Sequence, residues 1–352
     1  MLFAIAAALG CDPAAPAVAD PGAVGGAPAS DATQVVEFHH RAPGAQAVSL
    51  VGEMNGWDPA ATPMTRGADG IWRVSVRLEP GQWLYKLYAD GQWLTDAENR
   101  ASSPDGRGGR HSYLLVGDGD FRRHPGVAHG VVETVRVPSV ALGATVEANL
   151  YRPLGAHAAM PVLVLLHGQD MDRLQWTDNG LIADFMDNLL HRGEVRPLLV
   201  VMPSLTPHID HAGLATFLAE ELPDWLAAHA DARPEAAARG LGGFSLGGSL
   251  TLRLAATRPG AYGLWAPMAG WLPPEQVEPW SHALAHAGPV VQYCGRDDVG
   301  IIGRNRELAA ALRTAGAQAD YVEVAGGHGF RFLNAVTPDL LRRASRLLGA
   351  GP

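Results

Sequence analysis

The sequence predicts an α/β domain, a mostly parallel sheet flanked by helices, carried behind a small all-β sandwich. Three observations predict it. From Pro161 onward, continuous apolar runs alternate with helix-like stretches, the pattern of strands covered on both faces. Between residues 35 and 116 the apolar period is two, with turn signals between short runs. Arg239 to Leu254 reads as a strand, a glycine-rich tight turn on Ser245, and a helix.

Composition sets the outer bounds. A length of 352 residues accommodates two domains, and 47% hydrophobic against 18% charged residues describes a chain able to bury a core. The formal net charge of -9 gives no basic footprint for nucleic acid or for an anionic membrane surface. His39-His40 and His208-x-x-His211 are not spaced as metal ligands, so no metal and no other cofactor is expected.

Met1 to Cys11 is a short apolar run ending in small residues, too brief to span a bilayer and shaped like a signal-peptide core. Ala8-Leu9-Gly10-Cys11 resembles a bacterial lipobox, with the leucine one place late and no basic residue ahead of the run. That resemblance implies Cys11 as a lipidated first residue, a protein of the cell envelope, and a membrane association limited to that anchor; ordinary secretion or a mere apolar terminus are the alternatives. Residues 12–33, rich in Ala, Pro and Gly, read as a disordered tether. The remaining cysteine, Cys294, sits in an apolar run as a buried small hydrophobe, so no intrachain disulfide is expected.

Residues 34–118 contain the alternating runs Gln34 to Phe38, Ala47 to Val51, Ile71 to Leu78, Trp83 to Tyr88 and Ser112 to Val116. Asn55-Gly56, Asp69-Gly70, Pro80-Gly81 and Asp90-Gly91 separate them as turns, giving a small sandwich. Val51-Gly-Glu-Met-Asn-Gly-Trp-Asp-Pro59 and Tyr85-Lys-Leu-Tyr-Ala-Asp-Gly-Gln-Trp93 resemble the family 48 carbohydrate-binding module, an immunoglobulin-like domain. The resemblance implies Trp57 and Trp93 as faces for sugar rings and Lys86 as a donor to hydroxyls. The family's asparagine in the last strand region is replaced by His111 or Ser112. Two roles stay open for the domain: binding glycan, or packing against a catalytic domain and shaping its cleft.

Residues 119–130 carry charge and turn formers without periodicity and read as a linker. In residues 131–352, Val131 to Val137 and Ala144 to Tyr151 form an expected antiparallel pair. Expected core strands follow at Val162 to Leu166, Leu198 to Met202, Leu241 to Phe244, Tyr262 to Met268, Val290 to Cys294 and Tyr321 to Val324.

Gly243-Phe244-Ser245-Leu246-Gly247 fits the nucleophile elbow G-x-S-x-G, which lifts a serine hydroxyl over the sheet edge and aims the next backbone N–H at a developing oxyanion. Such a serine needs a base and an orienting acid later in the chain, acid first. His328, in Gly326-Gly-His-Gly-Phe330 past the last strand, fills the base slot. Asp298, in Cys294-Gly-Arg-Asp-Asp298, fits the acid, with Asp297 as the alternative. The oxyanion donors are the N–H of Leu246 and, from the loop His167-Gly168-Gln169-Asp170, that of Gln169.

Together with Leu165-Leu-His-Gly168, these residues resemble the esterase D and enterochelin-esterase-like branch of the α/β-hydrolases, which includes feruloyl and acetyl-xylan esterases. The resemblance implies a serine carboxylic-ester hydrolase acting through an acyl-enzyme. Beside a sugar module, the implied partner is an acyl ester carried on a polysaccharide. A trilactone-siderophore esterase, a peptidase on the same triad, and a glycan-binding surface protein with a vestigial hydrolase domain are the alternatives. Trp176, Trp271 and Trp280 are expected either as pocket aromatics or as core and rim packing.

Overall fold

The computed structural model describes residues 33–155, 158–205 and 211–349. The apolar segment with Cys11, residues 12–32 of the tether, and His208 lie outside the described residues.

The N-terminal domain is a sandwich of two antiparallel sheets. One pairs β1 (Gln34–Arg41) and β3 (Thr65–Arg66) on either side of β4 (Ile71–Leu78). The other runs β2 (Val48–Gly52), β5 (Gly81–Ala89), β8 (Arg110–Val116) and β7 (Ser102–Pro104), with β6 (Gln92–Leu94) folding back on β5. Alternation decides which side chains go inward. In β5, Trp83, Tyr85, Leu87 and Ala89 join Leu50, Phe38 and Trp72 in the sandwich core. The opposite face of β5 carries Gln82, Leu84, Lys86 and Tyr88.

Gln82 on that second face, and groups at its rim, meet the C-terminal domain. Gln82, 1% exposed, accepts from Asn334 Nδ2 at 3.1 Å and donates to the Asp178 carbonyl at 3.4 Å. Asn179 Nδ2 donates to Ser103 Oγ at 3.0 Å, and Arg331 stacks its guanidinium 3.7 Å over the Trp83 ring while bonding Glu79 at 2.9 Å. The segment 119–130 holds neither strand nor helix and is pinned down: Asn188 Nδ2 donates to the carbonyls of Asp120 and Arg122, and Phe121 enters the core of the second domain.

The C-terminal domain is built on one eight-stranded sheet. Its strands are β9 (Val131–Ser139), β10 (Ala144–Arg152), β11 (Val162–Leu166), β12 (Leu199–Pro203), β13 (Arg239–Phe244), β14 (Leu264–Met268), β15 (Val290–Gly295) and β16 (Ala319–Val324), in the spatial order β16-β15-β14-β13-β11-β12-β10-β9. The six from β11 to β16 are mutually parallel, and β10 and β9 close one edge as an antiparallel pair. The fourteenth strand is shorter than its sequence run: Tyr262 and Gly263 precede it.

Helices α1 (Ile182–His191), α2 (His211–Thr216), α3 (Leu222–His229), α4 (Leu246–Thr257), α5 (Pro274–Leu284), α6 (Ile302–Thr314) and α7 (Phe330–Gly349) cover the two faces. Two separate cores result. Val162, Val164 and Leu166 of β11 point into the core with α3 and α4, whereas Leu163 and Leu165 point into the core with α1 and α7. Both sides being covered explains why these strands are apolar without alternation. The arrangement brings the C-terminal ends of β11, β13, β14, β15 and β16 to one rim, where ligands of open α/β sheets bind.

Candidate active site

The rim is assembled by glycine. A Cβ on Gly247 would sit 2.5 Å from the Leu166 carbonyl oxygen, and one on Gly243 would sit 2.5 Å from the Gly247 backbone. Only their absence lets α4 start directly against β11 and β13. Between them Ser245 adopts φ 55, ψ -112, a conformation a non-glycine residue takes only when its surroundings hold it there. Its N–H donates to the Met268 carbonyl at 2.9 Å and its carbonyl accepts from Ser249 N at 3.0 Å, which fixes the bend.

Ser245 Oγ lies 2.8 Å from His328 Nε2, and His328 Nδ1 lies 2.6 Å from Asp298 Oδ2. A carboxylate can only accept, so Nδ1 carries the hydrogen and Nε2 presents its lone pair to the serine hydroxyl. Asp298 is 6% exposed, on the turn after β15, and its carbonyl accepts from the first N–H groups leading into α6. The Phe244 ring stands under the imidazole, 4.7 Å between centroids, and rests in turn on Phe332.

Asp297, the alternative acid, does something else. Its Oδ2 accepts from Gly326 N at 3.0 Å and its own N–H returns to the Gly326 carbonyl at 3.1 Å. It therefore ties the loop that carries His328 to the end of β15. The close approach again requires glycine, since a Cβ on Gly295 would lie 2.2 Å from the Gly326 oxygen.

Leu246 is the first residue of α4, so its N–H has no intrahelical acceptor. In the facing loop, Gly168 N–H is taken by Gln175 Oε1 at 2.7 Å, while the Gln169 N–H has no acceptor among the described residues. His167 shapes this loop. Its Nδ1–H donates to the Gly168 carbonyl at 2.7 Å and its Nε2 accepts from Leu205 N at 2.8 Å, and burial holds its pKa down so that it stays neutral. The sequence marks His167 only as part of the motif Leu165-Leu-His-Gly168 and assigns it no role of its own.

Trp176 takes the core-packing role: it is fully buried on the α1 side of the core, with Nε1–H donating to the Leu166 carbonyl. Trp280 packs at the edge of the other core with Arg253 over its ring. Trp271 alone of the three is well exposed, at 39%; Arg304 stacks 4.7 Å from its ring, and its N–H bonds Ser249, one turn along α4 from Ser245.

The sandwich residues divide. Trp57 and Lys86 both adjoin His111: the Trp57 ring packs tilted against it at 4.6 Å between centroids, and Lys86, whose charge acts on His111, bonds Asp105 Oδ2 through Nζ at 2.7 Å. His111, not Ser112, stands on this face, since Ser112 is fully buried and accepts from Asp96 N. Burial pushes the His111 pKa down to about 4, and its Nδ1 is buried without a partner among the described residues. Burial would raise Asp105, but Lys86 and the N–H groups of Arg107 and Gly109 outweigh it and hold the carboxyl at about 2. Trp93 stands apart, 47% exposed and edge-on to Tyr88. The Asp105 loop reaches the oxyanion loop: a Cβ on Gly106 would lie 2.6 Å from Met171 Sδ and 3.1 Å from the Asp170 carbonyl oxygen.

Residues 139–294 match the family model "Putative esterase", and residues 24–104 match carbohydrate-binding module 48, the isoamylase N-terminal domain. The esterase match ends before Asp298 and His328. An endo-1,4-beta-xylanase/feruloyl esterase from Xylanibacter ruminicola is 27% identical over 84% of this chain and 42% of its own length. A 1,4-alpha-glucan branching enzyme from Methylococcus capsulatus is 44% identical over 16% of this chain and 8% of its own. The chain thus spans less than half the length of the curated relatives it matches. Among solved structures, the enterobactin esterase from Shigella flexneri aligns over 90% of this chain and 94% of its own, with TM-score 0.73 and 18% identity. A ferulic acid esterase from Anaeromyces mucronatus aligns over 69% of this chain and 96% of its own, at TM-score 0.53 and 17% identity. The fold is therefore the α/β-hydrolase fold of esterases behind an immunoglobulin-like β-sandwich.

Proposed function

For a chain that joins a carbohydrate-binding module 48 domain to an esterase-family domain, we propose a serine carboxylic-ester hydrolase acting through an acyl-enzyme. The observation that carries this reading is the unbroken hydrogen-bonded series Asp298, His328, Ser245, at 2.6 and 2.8 Å, on a strained serine at the sheet rim.

In the acylation half, Ser245 Oγ attacks the ester carbonyl carbon as His328 Nε2 takes its proton, and Asp298 stabilises the imidazolium. The carbonyl oxygen becomes an oxyanion facing the N–H groups of Leu246 and Gln169. Collapse breaks the bond to the alcohol oxygen, which leaves with the proton from His328. A water then repeats the sequence on the acyl-serine: His328 takes a proton from the water, the hydroxyl adds to the carbonyl, and the carboxylic acid departs as Ser245 regains its hydrogen. None of these steps calls on a bound cofactor.

The substrate class in this reading is an acyl ester, feruloyl or acetyl, on a polysaccharide. The sandwich supports it through Trp57, Lys86 and Trp93. Lys86 keeps two donors beyond its bond to Asp105, which suits it to sugar hydroxyls. The same proposal places the protein in a bacterial cell envelope, held by Cys11, which mass measurement of the mature N-terminus checks. A panel of feruloyl, acetyl-xylan, short-chain and trilactone-siderophore esters tests the substrate. Ser245→Ala should lower turnover on the best of them by on the order of 10⁶ without moving the unfolding midpoint. Turnover near the wild-type value overturns the assignment, and a preference for the trilactone moves it to the siderophore reading.

A further inference from the structure

His328 stands in the sequence Gly326-Gly327-His328-Gly329, and three glycines give a loop wide backbone freedom. A general base must nevertheless stay within hydrogen-bond reach of its serine, because a misplacement of about 1 Å costs on the order of 10²-fold in rate. Something has to hold the loop on both sides. Before the histidine, Asp297 does so through Gly326, as described.

After the histidine, the holding group comes from the other domain. Glu53 follows β2 in the Gly52-Glu-Met-Asn-Gly-Trp57 turn of the sandwich, 277 residues before Phe330. Its Oε1 accepts from Phe330 N at 3.2 Å and from Arg331 N at 3.4 Å, the first two N–H groups of α7. Its Oε2 accepts from Leu84 N at 3.0 Å, so the same carboxylate is anchored to β5 of its own domain. Gly329 adjoins it closely enough that a Cβ there would lie 3.2 Å from Oε1. Burial raises the Glu53 pKa, which the three backbone donors and the Arg331 charge oppose. A largely desolvated carboxylate is kept here only because these N–H groups satisfy it.

We propose that Glu53 is a positioning residue for His328, so that the sandwich domain supplies one of the two carboxylates that brace the loop of the catalytic base. Asp297 braces the loop from the strand side and Glu53 from the helix side. The domain that reads as a sugar module is, at this turn, part of the hydrolase machinery. The proposal rests on the esterase reading for its kinetic consequence and on geometry alone for the bracing itself.

The test uses the full chain and two readouts. Glu53→Ala removes both arms, and Glu53→Gln keeps an acceptor for Phe330 and Arg331. Val48→Ala, in the sandwich core, weakens the same domain without touching the loop. On a small acyl ester, Glu53→Ala should lower kcat by about tenfold or more at unchanged KM, the mark of an interaction felt in the transition state. Glu53→Gln should recover most of that loss, and Val48→Ala should keep the wild-type kcat. Hydrogen exchange should show residues 326–331 opening faster in Glu53→Ala but not in Val48→Ala. Equal kcat and equal exchange in Glu53→Ala and wild type overturn the proposal, as does a kcat loss shared by Val48→Ala. If Ser245→Ala also stays active the esterase reading falls by itself, and the exchange comparison still decides whether Glu53 braces the loop.

Discussion

The eight-stranded sheet of the C-terminal domain and the five-stranded sheet of the sandwich use their polar side chains in opposite ways. In the eight-stranded sheet every candidate group sits on a turn at the end of a strand, locked by glycines that allow backbones to touch. In the sandwich the comparable groups lie on a sheet face or at its rim, and two of them are spent on the neighbouring domain, Gln82 on Asn334 and Asp178 and Glu53 on α7, while Lys86 is spent within the sandwich on the Asp105 whose loop packs against Met171. The difference teaches that chemistry fixed by turns survives as a local pattern, whereas chemistry fixed by a shared face is reassigned by whatever packs against it. Among the described residues, Trp93 is the one sandwich aromatic that keeps a large exposed surface.

That contrast can be broken first at the two adjacent carboxylates. Asp298→Asn should lower kcat by about 10⁴, the scale for losing the correct imidazole tautomer. Asp297→Asn, which loosens a loop and leaves the tautomer alone, should cost far less. Steady-state kinetics on both variants checks this, and a reversed order would make Asp297 the orienting acid.

Next comes the glycine lock. Gly247→Ala places a methyl 2.5 Å from the Leu166 oxygen, a backbone atom that cannot move aside. The expected outcome is a loss of about 1–3 kcal/mol in unfolding free energy or more, with hydrolysis lost as the elbow shifts. Denaturant titration alongside the ester assay measures both, and full activity would show that the elbow tolerates what the geometry forbids.

On the sandwich side, Lys86→Met leaves Asp105 without its cation. Because the folded pKa of Asp105 lies near 2, below its ordinary value of 3.8, the wild-type pair contributes stability that is complete above pH 3.8 and lost as pH falls through about 2. The stability gap between wild type and variant should therefore be widest near neutrality and close toward pH 2. A denaturant midpoint series across that range reads it, and a gap independent of pH would remove the ion pair from the account. The smallest effect on folding is expected for Trp93→Ala, within about 0.5 kcal/mol for an exposed side chain. Its retention on starch, glycogen or xylan in affinity electrophoresis should fall all the same; unchanged retention would take Trp93 out of the proposed sugar surface.

Much of this molecule was legible in its residues, for a physical reason. Ser245, His328 and Asp298 each end a strand in a glycine-marked turn, so their slots in chain order could be read and the distances agree. The parallel core strands announced themselves by being apolar on both faces. What escaped were contacts between distant segments. Glu53 stands in the motif Val51 to Pro59 with no role of its own, and nothing local tells that α7 will arrive there. His167 reads as part of a loop motif with no role of its own until Leu205 and Gly168 fix its ring from both sides. Trp176 carries no mark that separates a core tryptophan from a pocket one, and its place on a π-helical turn beneath Leu166 put it inside.

The account depends most on Ser245 being a nucleophile activated by His328, and labelling by an organophosphate fluorophore followed by peptide mapping measures that directly. One adduct per chain, on Ser245, absent in His328→Ala, is the expected result. No adduct, or one that persists in His328→Ala, would contradict it.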